Sequence, residues 1–295
     1  MPKIAVVIPA KNAANTFSET LTSLASQTFK DFEAVIIDDG STDQTSEIAE
    51  SFANAIKIKI IHHRESQGVA RSINSGIINS DSEFIARLDA DDVADPARLF
   101  KQLEFLEAEK RIGICGSDMR VFSESGDVNY ILAHPQNNLS IKTALIQRCA
   151  LSHPSLLIRR TVFDITGFYD EKFDFAEDYD LWCRASLLGI QFANINQPLT
   201  NYRIHSNQVS KQKSQIQSLR DHAVKNKYIS AYLNGEDPGD LPQFFSLTSQ
   251  YENSASAFNS FVKNGSNIIK LAKTIPDTNE YHQIVFGSLI RHLNR

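Results

Sequence analysis

The sequence predicts an α/β fold in which a mixed, mainly parallel sheet is flanked by helices and followed by a helical C-terminal appendage. Two observations predict this fold class. Short runs rich in Ile and Val alternate with stretches of helical periodicity through the first hundred residues, a pattern typical of βαβ units. Beyond about residue 210 the sequence becomes polar, rich in Ser, Gln and Asn, and helical in its pattern, with a Gly-Glu-Asp-Pro-Gly break at 235–239.

Composition excludes several classes of protein. The 295 residues are 42% hydrophobic and 22% charged, so the chain can bury a sizeable core and is not disordered as a whole. A net charge of −5 argues against nucleic acid as a partner.

The sequence also indicates a compartment. No apolar run approaches the roughly 18 residues of a membrane span, and the first run is too short and too early for a signal peptide. Cys115, Cys149 and Cys183 form no C-x-x-C pair, and we interpret them as free, small hydrophobic residues. We therefore expect a cytoplasmic protein.

Six apolar runs predict the strands. Four lie before residue 90 and are short and rich in β-branched residues, as in strands that are buried on both faces. Two more lie in the less regular region between 110 and 205. The predicted strands are Ile4–Ile8, Ala34–Ile37, Ile56–Ile61, Phe84–Leu88, Gly113–Gly116 and Leu156–Ile158.

Five helices are predicted between and after these strands. The first follows from apolar residues at helical spacing, the second from a capping box formed by Ser41 and Gln44, and the fourth from Pro96 at its first position. Trp182 in the last of them is expected to pack in the core. The predicted helical stretches are Phe17–Ala25, Thr42–Asn54, Val69–Ile78, one that begins at Asp95-Pro96, and Asp178–Leu188.

Three acidic clusters stand at the ends of predicted elements. Asp38–Asp39 follows the second strand, Asp89–Asp92 follows the fourth, and Glu177–Asp178 lies at the start of a helix. Turn and helix-cap chemistry would explain any one of them. Because the carboxyl ends of parallel strands meet at one edge of a sheet, the first two clusters are expected to face the same ligand crevice.

The cluster Asp89–Asp92 predicts a metal site. Carboxylates this close raise one another's pKa unless a cation compensates, and Mg²⁺ or Mn²⁺ typically takes one or two carboxylates together with substrate phosphates. An EF-hand calcium loop is excluded, because Ala94 and Phe100 stand where Gly and Glu are needed. The chain has neither of the glycine-rich phosphate-binding motifs, so a diphosphate bound here would depend on a metal.

Seven motifs in order carry a family resemblance. They are Val7–Asn12, Ile37–Asp43, Gly68–Asn74, Leu88–Asp92, Gly167–Glu171, Ala176–Trp182 and Tyr202–His205. Together they resemble the family 2 glycosyltransferases of GT-A fold, nucleotide-sugar-dependent enzymes that build bacterial polysaccharides and related glycans. Each motif alone is weak, but the resemblance runs from about residue 3 to about residue 210.

The resemblance implies a domain organisation. Residues 1–210 would form a Rossmann-like GT-A domain, with a nucleotide-binding half over 1–110 and an acceptor-binding half over 111–210. Residues 211–295 would form a helical extension whose role the sequence does not indicate. The stretch 152–155 precedes a predicted strand and is expected to shape an acceptor loop.

The resemblance also implies donor-binding residues. Pro9 and Ala10 would pass under the nucleoside, and Asp39 would accept a hydrogen bond from the N3–H of uracil or thymine. Arg71 would lie beside the base or the diphosphate, where a planar cation can donate two hydrogen bonds. Asp89 would hold the ribose hydroxyls. Relatives often carry an aromatic residue where this chain has a lysine at position 11, which argues against base stacking there.

Catalytic and metal-binding roles follow from the same resemblance. Asp91 would coordinate the Mn²⁺ or Mg²⁺ that bridges the diphosphate, and His205 resembles a position near the metal in some relatives. Asp178 matches the family's general base, with Glu177 as a secondary candidate. A helix N-terminus would lower the pKa of Asp178, whereas burial would raise it, and the sequence leaves the direction open.

The implied function is an inverting, metal-dependent transfer of one sugar from a UDP- or dTDP-sugar to a hydroxyl of a saccharide or polyprenyl-linked acceptor, in cell-surface polysaccharide synthesis. Processive relatives carry Q-x-x-R-W, and the nearest match, Gln217–Asp221, ends in Asp. Two alternatives stay open: a catalytically silent sugar-nucleotide-binding module, and a sugar-1-phosphate nucleotidyltransferase. The latter would need a glycine-rich segment in place of Pro9–Asn12.

A basic stretch lies in the predicted extension, and it contrasts with the acidic character of the whole chain. It predicts peripheral docking on the anionic inner face of the membrane, where a polyprenyl-linked acceptor would wait. Its residues are Lys211, Lys213, Arg220, Lys225 and Lys227.

Overall fold

The protein folds around one nine-stranded mixed sheet. The computed structural model describes residues 1–205, 214–246, 254–275, 281–285 and 288. The strands are β1 (Ile4–Ala10), β2 (Phe32–Asp38), β3 (Ile58–His62), β4 (Phe84–Arg87), β5 (Val93–Ala94), β6 (Ile112–Ser123), β7 (Asn129–Leu132), β8 (Leu157–Arg159) and β9 (Gln191–Ile204).

Helices connect the strands and form the C-terminal part of the described chain. They are α1 (Phe17–Ala25), α2 (Thr45–Ser51), α3 (Val69–Ile78), α4 (Arg98–Ala108), α5 (Asn138–Ala144), α6 (Thr161–Thr166), α7 (Glu177–Leu187), α8 (Ser214–Tyr232), α9 (Leu241–Phe245), α10 (Ser254–Lys263) and α11 (Gly265–Thr274). Short 3₁₀ turns cover His153–Ser155 and Glu171–Phe173.

Two helices begin later than the sequence predicts. The proposed capping box is wrong: the Ser41 hydroxyl accepts the Asn12 N–H (3.0 Å), and α2 begins only at Thr45. Pro96 does not occupy the first position of α4, which begins at Arg98. Instead, the carbonyl of Pro96 accepts the Thr28 N–H (2.8 Å). For α2, a long-range contact uses the hydroxyl that was expected to cap the helix. For α4, the Asp95 carboxylate and carbonyl accept the Ala97 and Arg98 N–H groups (both 2.9 Å), so a turn at Asp95 precedes the helix.

The strand order is β3-β2-β1-β4-β8-β6-β9-β5, with β7 paired to β6 outside this path. The first four strands of that order are parallel, β8 runs antiparallel between β4 and β6, and β9 runs parallel to β6. The predicted mixed, mainly parallel sheet is confirmed. The register places Ala10 beside Asp38 and Val7 beside Arg87, so the carboxyl ends of β1, β2 and β4 meet at one edge.

The two faces of the sheet have separate hydrophobic cores. Val7 and Val35 face one core, which includes residues of α3, α7 and α8, and Val6 and Ala34 face the other, which includes residues of α1 and α4. Helix α3 lies close to the sheet at Gly76, because a Cβ there would lie 2.6 Å from Val7 Cγ1. This close packing fixes the height of α3 above the carboxyl edge.

Helix α8 packs into the same core as the sheet. Tyr228 is fully buried against the α7 side of that core, and its hydroxyl donates to the main-chain oxygen of Lys142 (2.9 Å). Trp182, as predicted, is buried in this core. Each buried aromatic side chain of this kind contributes roughly 1.5–3 kcal/mol relative to an exposed one.

The cysteines follow the prediction with one exception. Cys115 and Cys183 are buried and free, whereas Cys149 is free but partly exposed. Among the described residues, no helix combines the length and the apolar content that crossing a bilayer requires.

Candidate active site

Asp39 lies just beyond the carboxyl end of β2, and both oxygens of its buried carboxylate already have two partners. His63 Nδ1 lies 2.8 Å from Oδ1, which also accepts the Gln67 N–H (2.9 Å). Oδ2 accepts from the Ser66 hydroxyl (2.6 Å) and the Gly68 N–H (3.2 Å). Burial raises the pKa of Asp39, but these hydrogen bonds outweigh burial and hold the pKa below its ordinary value.

Two more of the predicted donor-binding residues lie at the end of β1, next to Asp39. Pro9 and Ala10 end β1, and the Ala10 carbonyl accepts the Asp39 N–H (2.8 Å). The structure therefore brings Pro9, Ala10 and Asp39 together. Arg71 stands on the exposed side of α3, where its guanidinium is engaged by Glu171 (3.1 Å) and Gln67 (3.2 Å).

Three carboxylates follow β4 and form a candidate metal centre. Asp89, Asp91 and Asp92 each offer one oxygen, and these atoms all lie within 4.8 Å of one another. Burial, followed by the charge of Asp89, raises the pKa of Asp91 and raises that of Asp92 further. The Oδ2 atom of Asp92 is buried and has no hydrogen-bond partner in the described part of the chain. Such an all-oxygen set, with one oxygen unsatisfied, fits Mn²⁺ or Mg²⁺.

The end of β9 completes this cluster. His205 Nε2 lies 2.9 Å from Asp91 Oδ2, so the two predicted metal ligands are brought together. Arg203 donates its main-chain N–H to Asp92 Oδ1 (3.0 Å) and its Nε to the Asp91 carbonyl (2.9 Å). No role was predicted for Arg203 from the sequence. However, Arg203 lies two residues before His205 at the end of a strand, and residues two apart in a strand project from the same face of the sheet.

Arg87 is a further residue that sequence reasoning missed. It ends β4, is 3% exposed, and donates from Nη2 to Asp89 Oδ1 (2.5 Å). Its charge also opposes, without cancelling, the rise that burial causes in the pKa of Asp92, Glu177 and Asp178. The signal was a lone arginine inside an apolar strand, since a buried cation needs a carboxylate partner.

Glu177 and Asp178 open α7 and form a coupled pair. Asp178 Oδ1 accepts the Tyr179 N–H (2.7 Å), and the Cys149 thiol lies 3.6 Å from Oδ2. Burial raises the pKa of Asp178 and outweighs these contacts, which answers the question that the sequence left open. Burial, followed by the charge of Asp178, raises the pKa of Glu177 to about 8. Near neutral pH Glu177 is therefore mostly protonated.

The stretch 152–155, which was expected from the sequence to shape an acceptor loop, is buried. It forms a turn next to Glu177, with His153 Nδ1 3.9 Å from Glu177 Oε1 and His153 Nε2 2.9 Å from the Tyr169 hydroxyl. Burial holds the pKa of His153 well below its ordinary value. The ring is therefore neutral and supports the carboxyl pair from inside the core.

The predicted basic stretch is only partly exposed where the structure describes it, since Lys227 is exposed and Lys225 is buried. Lys227 Nζ lies 3.4 Å from the Asp180 carboxylate, and Arg220 donates to a main-chain carbonyl. Residues 211–213 lie outside the described residues. Docking on an anionic membrane through this stretch stays a prediction with less support than the sequence gave it.

Fold and site define a class of protein. A mixed, mainly parallel sheet with Asp39 and an acidic cluster at its carboxyl edge, and with a carboxylate pair at the start of α7, is the arrangement expected of a glycosyltransferase of GT-A fold. The sequence model of Glycosyl transferase family 2 matches residues 5–165. The chain belongs to this family and is a glycosyltransferase.

Relatives agree with this assignment. The chain is 30% identical over 246 residues to an uncharacterized glycosyltransferase of Haemophilus influenzae, covering 79% of this chain and 75% of that protein. It is 28% identical to the Escherichia coli UDP-Glc:alpha-D-GlcNAc-diphosphoundecaprenol beta-1,3-glucosyltransferase WfaP, covering 79% of this chain and 89% of that protein. It spans only 30% of the bifunctional glycosyltransferase pgtA of Dictyostelium discoideum, to which it is 29% identical over 66% of its own length.

Solved structures share the fold. S. aureus TarS 1-349 in complex with UDP-GlcNAc superposes with a TM-score of 0.61 at 18% identity, covering 99% of this chain and 93% of that one. The mannosyltransferase PcManGT of Pyrobaculum calidifontis, in complex with GDP-Man and Mn²⁺, gives 0.60 at 14% identity, covering 98% and 85%.

Proposed function

We propose that this glycosyltransferase moves one sugar from a UDP- or dTDP-sugar to an acceptor hydroxyl, with inversion and with a divalent metal. The observation that carries the proposal is the position of Arg87. One buried cation contacts the acidic cluster through Asp89, and its charge partly offsets the rise that burial causes in the pKa of Glu177 and Asp178. A candidate leaving-group site and a candidate base are thus organised around the same residue.

The acidic cluster is the proposed site for the metal and the departing nucleoside diphosphate. Asp91, with His205 beside it, would hold Mn²⁺ or Mg²⁺, and Asp89 would hold the ribose hydroxyls. When bound, the metal neutralises the charge of the departing diphosphate, so that no protonated acid residue is needed. The unsatisfied oxygen of Asp92 and the Mn²⁺ in the PcManGT structure support this assignment.

Asp178 is the proposed base. Burial raises its pKa, which makes it a stronger base than an exposed aspartate. Burial and the charge of Asp178 raise the pKa of Glu177 to about 8, so Glu177 is mostly protonated at neutral pH. One carboxylate that takes the acceptor proton during a single in-line displacement gives inversion at the anomeric carbon.

The donor would bind at the edge formed by β1 and β2. Asp39 is the proposed acceptor for the N3–H of the base, and the exposed Ser66 hydroxyl is the partner that the base would displace. Arg71 would exchange its contact with Glu171 for the diphosphate. The UDP-GlcNAc in TarS and the UDP-Glc in the name of WfaP support a uridine diphosphate donor. Because PcManGT was solved with GDP-Man, the preference for uracil over guanine has to be tested.

The acceptor is proposed to be a saccharide, free or carried on a polyprenyl diphosphate, as in the substrate named for WfaP. Synthesis of a cell-surface polysaccharide on the cytoplasmic side, with peripheral contact to the inner face of the membrane, is the setting that this acceptor suggests. Single addition is favoured over processive synthesis because the stretch at 217–221 lacks the tryptophan of the processive motif.

The test is sugar transfer by the wild type and by Asp178→Asn. We expect UDP release from UDP-glucose or UDP-N-acetylglucosamine, with Mn²⁺ and a GlcNAc-diphosphoprenol acceptor, to fall by about 10²–10⁴-fold in the variant. Binding of UDP and Mn²⁺, measured by calorimetry, should stay within twofold, because Asp178 does not touch the donor site residues.

Equal transfer rates would remove Asp178 as the base. Tight binding of UDP with no transfer by the wild type, on any UDP-, dTDP- or GDP-sugar offered, would favour the silent binding module instead. Faster transfer from GDP-mannose than from UDP-sugars would contradict the proposed role of Asp39 in base selection.

A further inference from the structure

The segment that leads into α7 is bonded to helix α3 on one side. Asn74 Nδ2 donates to the Tyr169 carbonyl (2.8 Å), and the Tyr169 N–H donates back to Asn74 Oδ1 (3.0 Å). Asp174 Oδ1 accepts the Ala70 N–H (3.0 Å) and so caps the first turn of α3 from a distant part of the chain. We call residues 169–176 the linking segment, since it joins α3 to the first turn of α7.

The linking segment contains a residue in an unfavourable conformation. Phe175 has φ of +77°, in the left-handed region that bulky L-residues avoid and that persists only when the surrounding structure enforces it. Phe175 lies three residues before Asp178. Its backbone therefore sets the direction in which the chain enters α7, and with it the aim of the Asp178 carboxylate.

Helix α8 supplies the restraint on this residue. Arg220 Nη1 donates to the main-chain oxygen of Asp174, and the Arg220 guanidinium lies 5.8 Å from the centroid of the Phe175 ring. The same cation thus satisfies the carbonyl that precedes Phe175 and covers its ring. Arg220 is the arginine of the stretch Gln217–Asp221, which resembled the processive motif, and from the sequence it was assigned only to the basic stretch.

We propose that Arg220 is a positioning residue for the base: by holding the peptide between Asp174 and Phe175, it aims Asp178 at the acceptor. This inference rests on the proposed role of Asp178. Arg220 bonds the main-chain oxygen of Asp174 and covers the Phe175 ring, whereas Asp174 caps α3 beside the Asp39 loop through its side chain. Loss of Arg220 should therefore act mainly on the chemical step, which appears as a lower kcat with little change in the KM for the donor.

The first test compares Arg220→Ala and Arg220→Lys with Lys227→Met. The control removes another cation of α8, which lies 5.6 Å from the centroid of the Phe173 ring but makes no bond to the main chain of the linking segment. We expect kcat to fall at least tenfold in Arg220→Ala and less in Arg220→Lys, with the KM for the UDP-sugar within twofold. Lys227→Met should stay within twofold of the wild type in both constants.

The second test asks whether Arg220 acts through the conformation of Phe175. Glycine adopts positive φ without steric cost, so Phe175→Gly removes the need for the restraint. Added to Arg220→Ala, it should raise kcat at least threefold above that of Arg220→Ala alone. A further fall in kcat, or a KM that rises as much as kcat falls, would overturn the inference.

A third readout does not depend on chemistry. Chymotrypsin cleavage after Phe173 or Phe175 should be several-fold faster in Arg220→Ala than in the wild type or Asp178→Asn, because the linking segment loses its restraint. Equal cleavage rates in wild type and Arg220→Ala would refute the inference even if Asp178 proves to be the base. Conversely, if the Asp178→Asn variant is as active as the wild type, Asp178 is not the base. The inference that Arg220 orients Asp178 for catalysis is then refuted as well.

Discussion

At the scale of single residues, the carboxyl pair at the start of α7 shows how burial can override a helix terminus. The first turn of a helix favours ionised carboxylates by about 0.3–1 kcal/mol at an exposed site. Glu177 is 5% exposed, and its pKa is nevertheless raised to about 8. The cost of removing the charge from water is therefore larger than the benefit from the helix dipole.

This raised pKa predicts a pH dependence of stability. Between pH 4.5, the ordinary pKa, and about 8, the native state keeps a proton on Glu177 that the unfolded chain has lost. The free energy of unfolding should therefore decrease as pH rises through this window, by an amount on the order of a few kcal/mol. In urea denaturation, the free energy of unfolding should decrease less between pH 5 and pH 8 for the Glu177→Gln variant than for the wild type.

The matched control for this variant is Glu104→Gln, which changes an exposed glutamate on α4. Its free energy of unfolding should decrease between pH 5 and pH 8 as much as that of the wild type. If Glu177→Gln and the wild type lose the same stability between the two pH values, the carboxyl at 177 is ionised in the native state and our account of the pair is wrong.

The candidate metal centre makes a second prediction at this scale. A ligand that binds only the native state at 100 times its Kd adds about 2.7 kcal/mol to stability, so Mn²⁺ with UDP should raise Tm by about 4–8 °C for a chain of this size. Asp91→Asn should lose most of this increase. Asp127→Asn, which changes an exposed aspartate in the β6–β7 turn, should retain it, and a full increase in Asp91→Asn would place the metal elsewhere.

At the scale of elements, the start of α3 depends on contacts that are remote in sequence. Gly68 has φ of +93°, and a Cβ at this position would lie 2.7 Å from Asp174 Oδ2. Its N–H also donates to Asp39. A side chain here would disturb both the Asp39 loop and the Asp174 cap, so the glycine is required by two separate contacts.

Gly68→Ala should therefore be strongly destabilising. We expect a loss of about 2–4 kcal/mol in the free energy of unfolding, from the positive φ and the clash together. Gly126→Ala is the control, since Gly126 has φ of +78° but nothing within 4 Å of a Cβ, and it should lose only about 1 kcal/mol. Equal losses in urea denaturation would show that the contact with Asp174 has no energetic weight.

Sequence patterns predicted elements better than their ends. Helix α3 occupies Val69–Ile78 as predicted, because its apolar spacing and its packing on the sheet agree. The start of α2 was wrong because Ser41 serves the loop after β1 instead of the helix. Local sequence does not reveal such a choice, since the competing donor, Asn12, is 29 residues away.

The same limit applies to the candidate site. Aspartates at strand ends are visible in sequence because parallel strands deliver their carboxyl ends to one edge, and the structure does bring Asp39 and the Asp89 cluster to that edge. The roles of Arg87, Arg203 and Arg220 were not visible. Each depends on which strand or helix lies beside it, and that information is in the tertiary fold.

At the scale of the whole molecule, the predicted division at residue 210 conflicts with the way the core is shared. Val224, Tyr228, Ile229 and Leu233 of α8 belong to one hydrophobic cluster with residues of α7 and of the sheet. An extension that could be removed without effect would not bury its largest side chains there. We therefore propose that α8 is part of the catalytic domain.

This proposal predicts that a chain ending at residue 213 will not reach native stability. Removing four buried side chains of this kind forfeits about 6–12 kcal/mol of burial, as an upper estimate, which is comparable with the whole stability of a domain. The truncated chain should be insoluble, or should melt well below the full chain in a calorimetric scan. A truncated chain with the Tm of the full chain would restore the boundary at 210.

The place of β8 has a consequence for biosynthesis. This three-residue strand lies between β4 and β6, although about 70 residues separate it from β4 along the chain. After β4 has left the ribosome and before β8 follows it, β4 presents an unpaired edge, and such edges attract other strands. The nascent protein is therefore at its most vulnerable to aggregation before residue 159 leaves the exit tunnel, which is the interval when a chaperone would matter most.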